Sequence, residues 1–251
     1  MSPTINSVAP WIRRPGPVPT TRLRLFCFPY AGAGTLIFRT WPDVLAADVE
    51  ICPVELPGRG TRMTERPFTQ LSPLVEALTQ ALVPLLDKPF AFFGHSLGSL
   101  VSFELIRRIR EYYGVYPVRL FVSAGRAPQI PHRDPPVHAL PEIDFLAELR
   151  RLNGTPSEIL KHSELMHIML PLLRADFSIY ETYVYSAKPA LTCPISAFGG
   201  LSDHRVNNSD LEAWRVQTNG NFSLRMFPGD HFFLNHPLFL RALTQELESS
   251  R

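Results

Sequence analysis

The chain has 251 residues, 45% of them hydrophobic and 19% charged, with a formal net charge of +2. That length and mix describe a globular protein of one or two domains and exclude a disordered one; roughly three-quarters of such a chain's surface can be buried without a metal or disulfide. The near-balanced charge, with no basic run, excludes strong electrostatic binding of nucleic acid, and no stretch approaches the roughly 20 apolar residues of a membrane span.

Residues 1–21 read as an extended arm. Pro15-Gly16-Pro17-Val18-Pro19 cannot continue a helix, and Trp11 and Ile12 are placed to pin the arm to the body. Five prolines and no apolar core in this stretch exclude a signal peptide, so a cytoplasmic protein is expected. Cys27, Cys52 and Cys193 are an odd, sparse set and read as buried thiols in a reducing compartment.

From residue 22 to 251 the chain falls into a rhythm. Short apolar runs at 23–28, 49–54, 90–93, 118–123, 195–198 and 222–227 predict strands buried on both faces. Segments 71–86, 97–112, 209–218 and 238–247 carry apolar residues three and four apart and predict helices. The alternation implies an α/β fold, a mostly parallel central sheet flanked by helices. One interval, 125–193, is too long for a single crossover. It holds helical patterns at 143–152, 156–161 and 164–185, and Pro171 within a dense apolar run suggests a broken helix. A small helical subdomain with its own core and a lid, spanning about 126–188, are compatible readings.

Gly94-His95-Ser96-Leu97-Gly98 lies between a strand run and a helical run. A G-x-S-x-G alone is weak, but strand–turn–helix is the context that a nucleophile elbow requires. Flanking glycines relieve the strained turn, and the amide of Leu97 falls at a helix N-terminus, where an anion is favoured. A plain Gly-Ser turn capping a helix is the bland alternative. A serine needs a base, and His231, beyond the last strand run, sits at the same sheet edge. His236 suits a helix cap and His95 an orienting role inside the elbow. Asp203, beyond the fifth run, is placed to hold the imidazole. Asp210 belongs to the following helix, Asp230 neighbours the histidine too closely, and Asp176 reads as structural. The order Ser96, Asp203, His231 is that of an α/β-hydrolase. The small-residue loop Pro29-Tyr30-Ala31-Gly32-Ala33-Gly34 supplies the second oxyanion amide, from Tyr30 or Ala31. Glu55-Leu56-Pro57-Gly58-Arg59-Gly60 reads as a tight turn with no assigned chemistry. No cluster has metal-ligand spacing, and no G-x-G-x-x-G opens a helix after a strand.

The assembled sequence resembles the type II thioesterases of nonribosomal peptide and polyketide synthesis. The likeness runs from about residue 11 to 247 and rests on these motifs and on three more. They are Asn153-Gly154-Thr155-Pro156, Leu172-Leu173-Arg174-Ala175-Asp176-Phe177 and Phe227-Pro228-Gly229-Asp230-His231-Phe232-Phe233-Leu234. The resemblance implies an α/β-hydrolase fold with a helical lid, with Ser96, Asp203 and His231 in the triad positions. It implies hydrolysis of acyl thioesters on the phosphopantetheine arm of a carrier protein, no bound cofactor, and a monomer. Two positions depart from the family pattern: Asp230 stands where Gly is common, and Gln217 where His is common. The alternatives are a chain-terminating medium-chain thioesterase of fatty acid synthesis, a small-molecule ester hydrolase, and a non-catalytic scaffold that binds a carrier protein.

Overall fold

A computed structural model of the chain describes residues 11–13, 20–152 and 162–249. Six strands form one parallel sheet: β1 (Leu23–Phe28), β2 (Val49–Pro53), β3 (Phe90–His95), β4 (Arg119–Ser123), β5 (Ile195–Gly200) and β6 (Phe222–Phe227). Their order is β2-β1-β3-β4-β5-β6. Every pairing is parallel, with Leu25 opposite Ile51 and Ala91, and Val122 opposite Ala197. All carboxyl ends therefore open on one edge. The chain reverses its direction of travel between β1 and β3, the switch point where such sheets bind ligands.

The sheet is buried on both faces, as its apolar runs require. Along β1, Leu23, Leu25 and Cys27 face one core, with Trp41 and Phe239. Phe26 and Phe28 face the other, with Leu78, Leu105 and Trp214. This is the period of two expected of a strand. Helices α2 (Leu71–Leu82) and α3 (Leu97–Tyr113) cover the second face. The short α1 (Trp41–Val44) and the terminal α7 (Pro237–Ser249) cover the first. Trp11 and Ile12 are buried, with Ile12 bridged to Val54 and the Arg62 guanidinium 3.9 Å from the Trp11 ring centre. The rest of the arm lies outside the described residues, apart from 13, 20 and 21. All three cysteines are buried and none forms a disulfide. Among the described residues no helix is long and apolar enough to cross a membrane.

Between β4 and β5 stand α4 (Glu142–Leu152) and α5 (Ser163–Glu181). They build a small core of their own from Phe145, Leu149, Met166, Leu170, Leu173 and Phe177. The expected break at Pro171 is absent, and α5 runs through it as one helix. Proline removes one backbone donor and crowds the preceding turn. Here Pro171 and His167, whose carbonyl loses its partner, are both exposed, so the carbonyl stands where solvent can reach it, while the buried stripe holds the helix together. The helix stops at Glu181, four residues short of the expected end. The pattern over 209–218 divides into α6 (Asn208–Glu212) and a 3-10 turn (Ala213–Gln217). The pattern expected at 156–161 and the motif beginning at Asn153 lie outside the described residues.

Candidate active site

Ser96 occupies the sharp turn from β3 into α3 with φ 54° and ψ −114°, a backbone that L residues avoid. Its neighbours must be glycines: a Cβ on Gly94 would strike the Gly98 carbonyl, and one on Gly98 the Phe28 carbonyl. The Ser96 amide donates to the Ser123 carbonyl at 2.8 Å, and the Ser99 hydroxyl to the Gly94 carbonyl at 2.8 Å, so the turn is tied down on both sides. Ser96 itself is only half-buried.

His231 follows β6, and Asp203 follows β5, at the same edge. The Nδ1–H of His231 donates to Asp203 Oδ2 at 2.7 Å. Asp203 Oδ1 accepts the amides of Arg205 and Val206 at 2.8 and 3.2 Å. Burial works to raise the Asp203 carboxyl. The hydrogen bond from His231 and those two amides outweigh it and hold the group below the usual carboxylate range. Burial pushes His231 below the ordinary histidine value, and the positive charge of Arg205 adds to the shift. The imidazole is therefore neutral at pH 7. Its Nε2 is buried with no hydrogen-bond partner among the described residues, and His231 lines the same two cavities as Ser96.

His95, fully buried, reaches further than an orienting role in the elbow. One ring nitrogen, Nε2, lies 2.8 Å from the His231 carbonyl, which can only accept. Nε2 therefore carries the proton, and Nδ1 accepts from the Ser123 hydroxyl at 2.9 Å. Burial and the nearby His231 keep this ring neutral, well below the usual histidine range. The elbow thus holds the backbone of the histidine loop.

The other candidates fall where their sequence positions placed them. His236 accepts the Leu238 amide at 3.2 Å at the start of α7. Asp210 caps α6 in a reciprocal box with Asn207. Asp230 is exposed and accepts the Phe232 amide.

Tyr30 and Ala31 line the small cavity beside Ser96, and neither amide is hydrogen-bonded among the described residues. The next amide, Gly32, is already given to Asp176 Oδ2 at 2.7 Å. Gly32 has φ +78° and the Leu173 side chain packed directly on it, so a side chain there is excluded twice.

Asp176 and the Glu55–Gly60 turn have a role that the sequence reading missed. Arg59 meets both Asp176 oxygens at 2.9 and 2.8 Å and donates to the Ala33 carbonyl at 3.0 Å. Both side chains are almost fully buried, at 5% and 1% exposure. Nothing in the spacing of residues 59 and 176 indicates the pairing. The arginine inside a Gly-rich turn was the available signal.

Two cavities meet at Ser96 and His231. The smaller, about 30 Å³, is walled by Tyr30, Leu149, Leu173 and Phe177. The larger, about 160 Å³, is polar and includes Arg205, Tyr180 and Glu181. Among the described residues no group of three or more His, Cys, Asp or Glu side chains is arranged to hold a metal ion.

The family model described as "Thioesterase domain" matches residues 23–247. The gramicidin S biosynthesis protein GrsT of Aneurinibacillus migulanus is 48% identical over 92% of this chain and 90% of its own length. The medium-chain S-acyl fatty acid synthase thioesterase of Rattus norvegicus is 33% identical over 87% of this chain and 84% of its own length. The solved type II thioesterase BorB from the borrelidin biosynthetic cluster superposes with a TM-score of 0.85 at 35% identity, covering 94% of this chain and 97% of its own. An elbow serine, a carboxylate-held histidine and an apolar insertion over one parallel sheet edge thus sit within a full-length family match: the chain belongs to the thioesterase-domain family.

Proposed function

We propose that this protein is an editing thioesterase. It hydrolyses acyl groups from the phosphopantetheine arm of carrier proteins in a nonribosomal peptide or polyketide synthase. The observation that carries the reading is the His231 ring, held through Nδ1 by Asp203 and presenting an unpartnered, neutral Nε2 in the cavities that Ser96 lines.

Ser96 Oγ attacks the thioester carbonyl while its proton passes to His231 Nε2. The oxyanion is held by the amide of Leu97 and that of Ala31 or Tyr30. The carbon–sulfur bond breaks, and the thiolate leaves with the proton from His231. Water then gives a proton to His231 and attacks the acyl–Ser96 ester, and the acid departs as the serine hydroxyl is restored. Asp203 keeps the imidazole in the required tautomer and offsets its charge while it is protonated. The insertion of α4 and α5 acts as the lid, and the carrier protein docks beside it. No cofactor takes part.

One observation favours editing over chain termination. Identity to GrsT, at 48%, exceeds that to the rat medium-chain enzyme, at 33%. The test is kcat/KM on a carrier protein loaded with acetyl or decanoyl groups. The acetyl carrier is cleaved faster on this reading. A decanoyl preference would assign the chain-terminating role, and cleavage of neither would remove both.

A further inference from the structure

The chemistry above leaves two side chains in the larger cavity unexplained. Arg205 lines both cavities, and its guanidinium donates no hydrogen bond among the described residues. The hydroxyl of Tyr180, on α5, has no partner among them either. A half-buried cation without a hydrogen-bond partner is costly unless something else supplies acceptors. The acids nearby are committed elsewhere. Asp203 serves His231 and two amides. Glu181 takes the amides of Val137 and His138 and the His138 ring. Asp210 is held by Arg133. Asp134, exposed at the rim, acts on Arg205 only through space.

The two cavities differ in kind. The small one is walled mostly by aliphatic and aromatic side chains, with Arg205 where it meets the other; that other is about five times larger in volume, at about 160 against 30 Å³, and adds Tyr180, Arg126 and Arg151 as donors. They meet at Ser96, where the two halves of a thioester must part. The apolar side suits the acyl group. The other side suits a chain that carries carbonyl acceptors, because Arg205 and Tyr180 offer free donors there, while Asp134 and Glu181 on the same wall offset part of the charge of its arginines.

We infer that the larger cavity binds the thiol half of the substrate, an amide-bearing pantetheine chain, and that Arg205 and Tyr180 donate hydrogen bonds to its carbonyl oxygens. This assignment rests on the thioesterase reading above and names the part of the substrate that the site recognises. It gives the enzyme a handle on the arm that every carrier protein shares, independent of the acyl group.

The test pairs two acetyl thioesters, of pantetheine and of ethanethiol, with the parent, Arg205→Gln and Tyr180→Phe. Arg205 also acts on His231, so both rates change in the arginine variant, but their ratio cancels that effect. The pantetheine preference in kcat/KM falls roughly tenfold in Arg205→Gln, the size of one charge-assisted hydrogen bond, and severalfold in Tyr180→Phe. S-propyl pantetheine, a thioether that cannot be cleaved, supplies a binding readout and weakens in parallel. An unchanged ratio in both variants, or equal thioether affinity in parent and Arg205→Gln, overturns the assignment. A parent that cleaves neither thioester yet binds the thioether through Arg205 sinks the thioesterase reading and leaves this one standing.

Discussion

Arg59 and Asp176 form a two-point ion pair, buried at 5% and 1% exposure, between the loop after β2 and the middle of α5. The same carboxylate takes the Gly32 amide, next to the two candidate oxyanion amides. One side chain of the insertion thus fixes the loop proposed to hold the transition-state charge. Removing one partner from such a pair strands the other as a buried ion, at a cost of roughly 3–5 kcal/mol.

Asp176→Ala therefore lowers the thermal midpoint strongly, at roughly 2–4 °C per kcal/mol for a chain of this size. Asp176→Asn, which keeps the shape and one acceptor, loses less and retains more kcat. Differential scanning fluorimetry with steady-state rates checks both; an alanine variant melting within 2 °C of the parent, an allowance of roughly 1 kcal/mol, contradicts the role.

In the proposed mechanism His231 is the base and must be neutral to act, and burial together with Arg205 places its pKa below the ordinary value. Activity therefore persists as pH falls through about 6.5, the usual histidine range, and declines only below it. Replacing Arg205 by Gln removes a positive neighbour, raises the His231 pKa, and moves the acid limb of kcat against pH upward. A limb that stays put shows that Arg205 does not act on the base.

His95→Leu leaves the His231 carbonyl and the Ser123 hydroxyl without their buried partner, each costing about 1–3 kcal/mol. Because the ring holds the backbone of the base, kcat falls roughly tenfold or more while KM for the acetyl carrier changes less. Equal losses in the two constants would make His95 a packing residue only.

Gly98→Ala places a methyl group against the Phe28 and Pro29 carbonyls, which are backbone and cannot rotate away. Destabilisation by at least 1–3 kcal/mol, roughly the usual cost of overpacking, is expected. A chemical-denaturation midpoint matching the parent would contradict it.

Much of this was legible in the sequence because the pattern is local. Six apolar runs became six strands, with the first and last bounds unchanged, since strands buried on both faces must be apolar throughout. Ser96, Asp203 and His231 could be singled out as candidates because each follows a strand and all strands point one way, and the structure brings Asp203 and His231 into contact beside the cavities that Ser96 lines. Pro171 misled because its penalty depends on whether its ring faces water, which periodicity does not reveal. The Arg59–Asp176 pair, the His95 contact with His231 and the open guanidinium of Arg205 were not legible. The first two join segments distant in the chain, and only the fold decides which polar groups lack a partner.

The central claim is that the Ser96 hydroxyl carries the acyl group. It is tested most directly by following acetyl release from a loaded carrier protein with intact-mass spectrometry, for the parent and Ser96→Ala. The account predicts release by Ser96→Ala at roughly a thousandth of the parent rate or less, as for other triad serines, with folding and carrier binding kept. Release within tenfold of the parent would contradict it.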